Sequence, residues 1–483
     1  MPGCAAHSPA GAAPPAIAAN PVTRLRADLD RIFSDRSFAN ARWGVEVFSL
    51  DRSEILYDRD PSGLYIPASN NKILTAAVAL VRLGPGYRYE TRLMTDGRME
   101  NGAIRGNLII AGTGDPFISS QFQSGDPFTT FREWAARLRA RGVRKITGDI
   151  LGDGAGFGES RLGHGWEWND LVQAYAAPVG ALQFNDNMLS LEIVPGVRQG
   201  DLASVRMSPM TGYLPIDNRV LTDAEGAPGL VKVSRGTSAE TIVLTGSVPL
   251  KGSPVFRTVA VTSPAHYYLS ALKQTLAGEG IDTANCQVRE TGSIATPSLS
   301  TLWIHYSPAL SDFLKPLLKT SQNLFAETLT RTLGLALRGE GTFARGKEVI
   351  EETLTEMGIE KESYIYADGS GLSRLNLVSP HALVQALWFM YRHPSFKDFY
   401  GALAIAGVDG TLADRMKNTK AENNVHAKTG SIANVSAISG YLLTADGEML
   451  AFSVLANNFL VTRDKAEYLQ ERALERLANF SRR

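Results

Sequence analysis

Ser69 and Lys72 stand three residues apart in "PASNNKILTAAVALVRL" (67–83). On a helix, residues at that spacing project from nearly the same face. Ile73, Leu74, Ala77, Val78 and Val81 recur at intervals of three and four, so the stretch is predicted to be a helix with a buried apolar face. Lys72 falls in its first turn, where the positive end of the helix dipole repels a cation. A serine hydroxyl is a poor nucleophile until a base takes its proton. A lysine can be that base only when a helix N-terminus, an apolar surround or another cation lowers its pKa. The chemistry in view is therefore nucleophilic attack by an activated serine. The pair alone also reads plainly: Ser69 as a helix cap, Lys72 reaching solvent.

Two further stretches weigh against the plain reading. "KTSQNLF" holds Ser321 and Asn323 beside a predicted helix, and "HAKTGSIANVSAISGY" holds Lys428, Thr429 and Gly430, the only Lys-Thr-Gly in the chain. Separately these are helix caps and an exposed edge strand. The order Ser-x-x-Lys, Ser-x-Asn, Lys-Thr-Gly is hard to obtain by accident. Two glycine-rich stretches carry less. "GTGDP" (112–116) lacks a third glycine and "GDGAGFG" (152–158) has the wrong spacing for a nucleotide loop, so both read as tight turns.

The elements that must hold these residues follow from pattern. The chain has 483 residues, enough for two to four domains. Helices are predicted near 23–34, at 379–393 with Ser379 as N-cap and Pro380 in first position, and at 463–480. "SDFLKPLLKTSQNLFAETLTRTLGLAL" (311–337) reads as one long helical run. "WGVEVFSL" with "ILYDRD", and "VSAISGYLLTADGEMLAFSVLANN" with Asp446-Gly447 in its turn, read as hairpins. From about 93 to 296 the texture changes to short strands and glycine turns, interrupted by two helical patches, and 191–258 is nearly all strand and turn. The ends are alike and the middle differs, which predicts one domain split by an inserted pair.

Composition narrows the class. There are 49 basic and 49 acidic residues, a balance that argues for neither nucleic acid nor an anionic membrane as partner. No apolar run approaches the roughly 18–20 residues that span a bilayer. Two cysteines, Cys4 and Cys286, and seven scattered histidines predict no disulfide framework and no metal site. Residues 1–20 lack the basic start and apolar stretch of a secretory signal and read as a disordered tail or a signal remnant; Gly3-Cys4 could be what is left of a lipid-attachment box.

The motif trio resembles that of penicillin-binding proteins and serine β-lactamases. More closely, the chain is similar to the class C low-molecular-mass penicillin-binding proteins of the D-alanyl-D-alanine carboxypeptidase/endopeptidase type, peptidase family S13. "GNLIIAGTGDP", "ITGDILGDGAGF", "YAAPVGALQFNDNMLSLEI", "DGSGLSRLNLVSP" and "AGVDGTLADRM" also look like that family. The middle motif is Ser-Gln-Asn rather than Ser-Asp-Asn, and Gly152 stands where an acidic residue is usual.

The resemblance implies an α/β (α+β) fold: a β-lactamase/transpeptidase-like domain over 21–92 and 297–483, an inserted domain over 93–190 and 259–296, and a β-rich one over 191–258. It implies a serine DD-peptidase acting on peptidoglycan stem peptides, acylated by β-lactams, without a cofactor, in the periplasm or otherwise outside the cytoplasm. A homo-oligomer is a possible assembly. Ser69 is the expected nucleophile and Lys72 its base, with Ser321, Asn323 and Lys428 catalytic and Thr429, Gly430 and Ser431 along the substrate strand. Arg374, after a glycine-rich turn, and Asp153, in the insert, could read the zwitterionic end of a diaminopimelate stem, although each also reads as a surface charge. A β-lactamase-like hydrolase or a non-catalytic wall-binding scaffold are the alternatives.

Overall fold

A computed structural model describes residues 20–158, 160–213, 215–236, 241–292 and 299–483. The expectations for the N-terminal tail and Cys4 lie outside the described residues. The largest sheet has six antiparallel strands. In spatial order they are Ala404–Ile405, His426–Ile432, Val435–Leu443, Met449–Asn457, Arg42–Ser49 and Glu54–Arg59. Both faces are covered, and the strand period of two deals side chains to each. Leu450, Phe452 and Val454 face a layer made by the terminal helices Pro21–Phe33 and Arg463–Ala478. Ala451 and Leu455, and Ala437 and Tyr441 on the next strand, face the larger helical core on the other side.

That larger core surrounds the helix Asn71–Leu83, whose residues 71–80 are all buried. Gly84 ends it with φ of 78°, a left-handed conformation that glycine adopts without steric cost. The helix Pro380–Arg392 packs beside it and starts as predicted, with the Ser379 side chain accepting from the Ala382 amide at 3.1 Å. The run 311–337 is not one helix. It forms Leu310–Lys319 and Asn323–Arg338, separated where Ser321 turns to φ of 65°. A right-handed helix cannot pass through that conformation, so the second helix restarts at Asn323 and aims that side chain at the first turn of Asn71–Leu83.

Between these elements the chain builds an insert whose strands pair only with one another. Its main sheet runs Val288–Thr291, Ile150–Asp153, Leu108–Gly112, Glu90–Thr95, Ser300–Tyr306. The last of these corrects the sequence reading, which returned to the first domain at 297. Ser300–Tyr306 pairs with Glu90–Thr95 in antiparallel register, so the insert's sheet begins at Glu90 and ends at Tyr306. Strands between Met188 and Ala260 make two three-stranded sheets of their own and share an apolar core with the rest of the insert. Val220, Ile242 and Leu244 join Leu93, Ile110, Trp134 and Leu269 in one apolar cluster. Phe117, Phe157 and Val179 of the insert are buried in the helical core around Asn71–Leu83, which fixes the insert against the first domain.

Candidate active site

A short turn, Ala68–Asn70, delivers Ser69 to the head of the helix Asn71–Leu83. Ala68 is fully buried with φ of 46°, a strained conformation for a residue with a Cβ. Two glycines hold the turn from either side. A Cβ on Gly371, itself at φ of 81°, would sit 1.8 Å from the Ala68 carbonyl oxygen. A Cβ on Gly430 would sit 2.7 Å from the Pro67 carbonyl oxygen and 2.8 Å from the Ser69 amide nitrogen. The glycine of Lys-Thr-Gly is thus required for the strand His426–Ile432 to reach the serine. Asn70 locks the same contact. In the amide orientation that satisfies both its ends, it donates to the Lys428 carbonyl at 2.7 Å and accepts from the Ser439 hydroxyl at 2.8 Å.

Lys72 is wholly buried, and its Nζ meets three oxygens: Ser69 Oγ at 2.8 Å, Asn323 Oδ1 at 2.6 Å and the Ser370 carbonyl at 2.6 Å. Asn323 cannot present its nitrogen instead, because Nδ2 donates to the Tyr175 carbonyl at 2.9 Å. Two of the three partners are therefore obligate acceptors. A neutral amine has two protons and one lone pair. With both protons given to Asn323 and Ser370, the lone pair is left pointing at the Ser69 hydroxyl.

Burial pushes the Lys72 pKa down to about 7, and the charges of Asp368 and Glu327 push back. The sequence reading assigned part of this lowering to a neighbouring cation. Burial is the largest cause and the acidic neighbours oppose it, while the cation expected nearby is Lys428, whose repulsion with Lys72 is mutual. Lys428 is also fully buried and its pKa is held well below the usual value, first by burial and then by repulsion from Lys72. Its Nζ donates to the Thr429 carbonyl at 2.7 Å. Glu327 lies in the helix Asn323–Arg338, accepts from the Ser370 amide at 2.9 Å, and is pushed up to about 7 by burial and by Asp368. Arg331, one turn on, pairs with it at 3.3 Å.

In front of Ser69 opens a cleft of about 520 Å³ lined by Ser321, Asn323, Arg374, Thr429 and Ser431. The strand pairing explains its edge. Ala404–Ile405 pairs only with Ala427 and His426, so Lys428–Ile432 extends past that partner along the cleft. The opposite wall comes from the insert as Glu167, Asp170 and Tyr175. Asp153 is not in this cleft. It ends the strand Ile150–Asp153, in register with Ala111 and Thr291, and its carboxylate accepts from the Ala155 amide at 2.9 Å. Arg374 does line the cleft, donates to the Ala433 carbonyl at 2.8 Å, and has Glu167 as its acidic neighbour at 3.3 Å. The wall was missed because "GWEWND" (165–170) carries no motif, although two tryptophans flanking an acid in a glycine-rich turn is an unusual cluster.

A serine and a buried lysine at the head of a core helix, facing the edge of an antiparallel sheet, define a serine acyl-transfer enzyme with an inserted wall. The model of the D-Ala-D-Ala carboxypeptidase 3 (S13) family matches residues 25–479, and the chain belongs to that family. It is 33% identical over 451 residues to the D-alanyl-D-alanine carboxypeptidase of Actinomadura sp. (strain R39), covering 90% of this chain and 81% of that one. It is 27% identical to D-alanyl-D-alanine carboxypeptidase DacB of Haemophilus influenzae over 86% of this chain and 85% of that one. The crystal structure of penicillin binding protein 4 (dacB) from Haemophilus influenzae superposes with a TM-score of 0.81 at 26% identity, covering 95% of this chain and 99% of that one. No helix of the described residues is long and apolar enough to cross a membrane.

Two outcomes follow from the geometry. Acylation by a penicillin should rise with pH through about 7, as the buried ammonium of Lys72 loses its proton. Stopped-flow rates that stay flat from pH 5 to pH 9 would remove Lys72 as the base. Gly430→Ala should push the strand off the nucleophile turn, at an overpacking cost of about 1–3 kcal/mol. Acylation should fall at least tenfold while a thermal melt shows the chain still folded; wild-type acylation would mean that the close approach is not needed.

Proposed function

We propose that the chain cleaves the D-Ala–D-Ala bond of peptidoglycan stem peptides, and related cross-links, through an ester on Ser69. The observation that carries this reading is the Lys72 shell, in which two fixed acceptors leave the amine lone pair aimed at Ser69 Oγ. Lys72 takes the hydroxyl proton as Oγ attacks the carbonyl carbon. The developing oxyanion is received by the amides of Ser69 and Ser431, fixed dipoles that need no reorganisation. The peptide lies antiparallel along the Thr429–Ser431 edge and borrows main-chain hydrogen bonds from it. Gly430 allows the approach, and Thr429 with Lys428 holds the terminal carboxylate. Collapse breaks the C–N bond, and the leaving amine receives its proton through Ser321, with Lys428 assisting. Water then hydrolyses the ester. β-Lactams enter the same path and stop at the acyl-enzyme. The substrate places the working enzyme in the periplasm or otherwise outside the cytoplasm.

Side-chain selectivity is assigned to Arg374 and Glu167 rather than to Arg374 and Asp153. Both line the cleft, and Asp170 adds a second carboxylate beside Tyr175, whose hydroxyl donates to it at 2.6 Å. A cation facing an anion suits a stem side chain that ends in both an amine and a carboxylate. The Arg374–Glu167 pair is well exposed, so opening it costs about 1 kcal/mol or less, and a zwitterion can replace it.

Mass spectrometry of the chain after incubation with a penicillin should show an adduct on wild type and none on Ser69→Ala. No adduct on either, or an equal one on both, sinks the proposal, and rapid release of the adduct would favour a β-lactamase. Arg374→Ala should raise KM for a diaminopimelate-ended peptide about tenfold and leave hydrolysis of a neutral-ended D-Ala-D-Ala peptide nearly unchanged. An equal effect on both substrates would place Arg374 outside side-chain recognition.

A further inference from the structure

Behind Lys72 lies a carboxylate that does not touch it. Asp368 is completely buried. Its Oδ1 accepts from the Gly371 amide at 2.6 Å and from Asn376 Nδ2 at 2.8 Å. Its Oδ2 accepts from the Ser373 amide at 2.7 Å, the Trp166 indole N–H at 2.8 Å and the Ser370 hydroxyl at 3.2 Å. The Gly371 N–H and the Ser370 carbonyl are the two ends of one peptide group. That peptide gives its N–H to Asp368 and receives Lys72 Nζ on its oxygen at 2.6 Å. A carboxylate on the N–H end polarises the peptide and makes its oxygen a stronger acceptor.

Trp166 comes from the insert, immediately before Glu167 and four residues before Asp170 of the cleft wall. Tyr175, at the other end of the same excursion, holds Asn323 by its carbonyl and so turns Asn323 Oδ1 toward Lys72. Each of the two fixed acceptors on Lys72 is thus backed by one residue of the insert. We propose that the insert segment 161–177 is part of the machinery that arms the base, with Trp166 a positioning residue that fixes Asp368 and, through the Ser370–Gly371 peptide, the orientation of Lys72. This rests on Lys72 being the base that takes the Ser69 proton. On this view the insert does more than wall the cleft, since each partner that aims the lone pair takes one of its hydrogen bonds from it.

The charged groups around this line are few. Asp368 and Glu327 face Lys72 and favour its charged form, while Lys428 is repelled by Lys72. Arg331 and Tyr366 border Glu327 and Asp368 on the far side. Two substitutions in the full chain separate the effects, with Glu327, Arg331 and Lys428 unchanged in both. Trp166→Phe keeps an aromatic ring and loses the N–H. Asp368→Asn keeps the size and loses the charge. The readout is the pH profile of penicillin acylation, with a thermal melt beside it. Asp368→Asn should move the acid limb to lower pH, because the Asp368 charge that helps hold the proton on Lys72 is gone, while Glu327, itself pushed up to about 7, carries little charge below the limb. Trp166→Phe should move it up by about half a pH unit, about a threefold slower acylation below the limb, because the Asp368 charge is less dispersed. Limbs that superimpose on wild type, or shifts of the same sign, overturn the inference even where amplitude or melting changes. If Asp368→Asn does not fold, Trp166→Phe decides alone. A wild type with no limb near neutral pH would instead remove the base reading itself.

Discussion

The buried amine of Lys72 is the constraint on which the rest of the structure depends. A lone ammonium taken fully out of water is so costly that it gives up its proton or finds strong acceptors. Here both pressures act at one atom. Burial drives the pKa down, while Asn323, Ser370 and the nearby carboxylates keep the amine from being an orphaned polar group. The balance leaves Lys72 near neutrality, where a base is most useful at ordinary pH. Moving it one turn along the helix would keep the burial and lose all three oxygens.

Holding those oxygens takes three separate parts of the chain. Asn323 arrives because the helical run breaks at Ser321. Ser370 arrives on a turn organised by Asp368, which draws on two backbone amides, an asparagine, a serine and an indole. The serine arrives on a turn pressed between Gly371 and Gly430. Each part is held by short hydrogen bonds, buried around Asp368 and more open at Asn323, or by approaches only glycine permits. The six-stranded sheet supplies the platform, and its edge past Ala427 supplies the surface along which a peptide can lie.

What the sequence made legible was governed by locality. Ser69, Lys72, Ser321, Asn323 and Lys428 could be singled out because each sits in a short motif, and a split chain was expected because strand texture differs from helix texture. The helix break at Ser321 was not, since "KTSQNL" contains no glycine and continues a helical pattern; a tertiary demand imposes the left-handed residue. The pairing of the strand just after 297 was hidden for a related reason. Ser300–Tyr306 has the alternation of a strand, but nothing local says that its partner is Glu90–Thr95, some two hundred residues earlier. Asp153 was drawn to the site by its charge and its place in the insert, and its carboxylate caps a turn instead.

The carboxylates that matter were hidden by the same long-range logic. Glu327 and Arg331 stand four apart in a helix of leucines, alanines and threonines, a pattern that looks like an ordinary ion pair on a helix surface. Only the fold shows that this face is the core, where such a pair is weak evidence for stability and better understood through what it touches. It touches the Ser370 amide, and Ser370 touches Lys72. Asp368 sits one peptide away on the other side of the same turn. Two buried acids thus bracket the turn that holds the base, and the insert reaches in through Trp166 to hold one of them. A catalytic domain and its insert that share hydrogen bonds this close to the reacting atoms cannot be treated as a catalyst with a separate appendage. The insert's position and the base's readiness are coupled through one buried carboxylate.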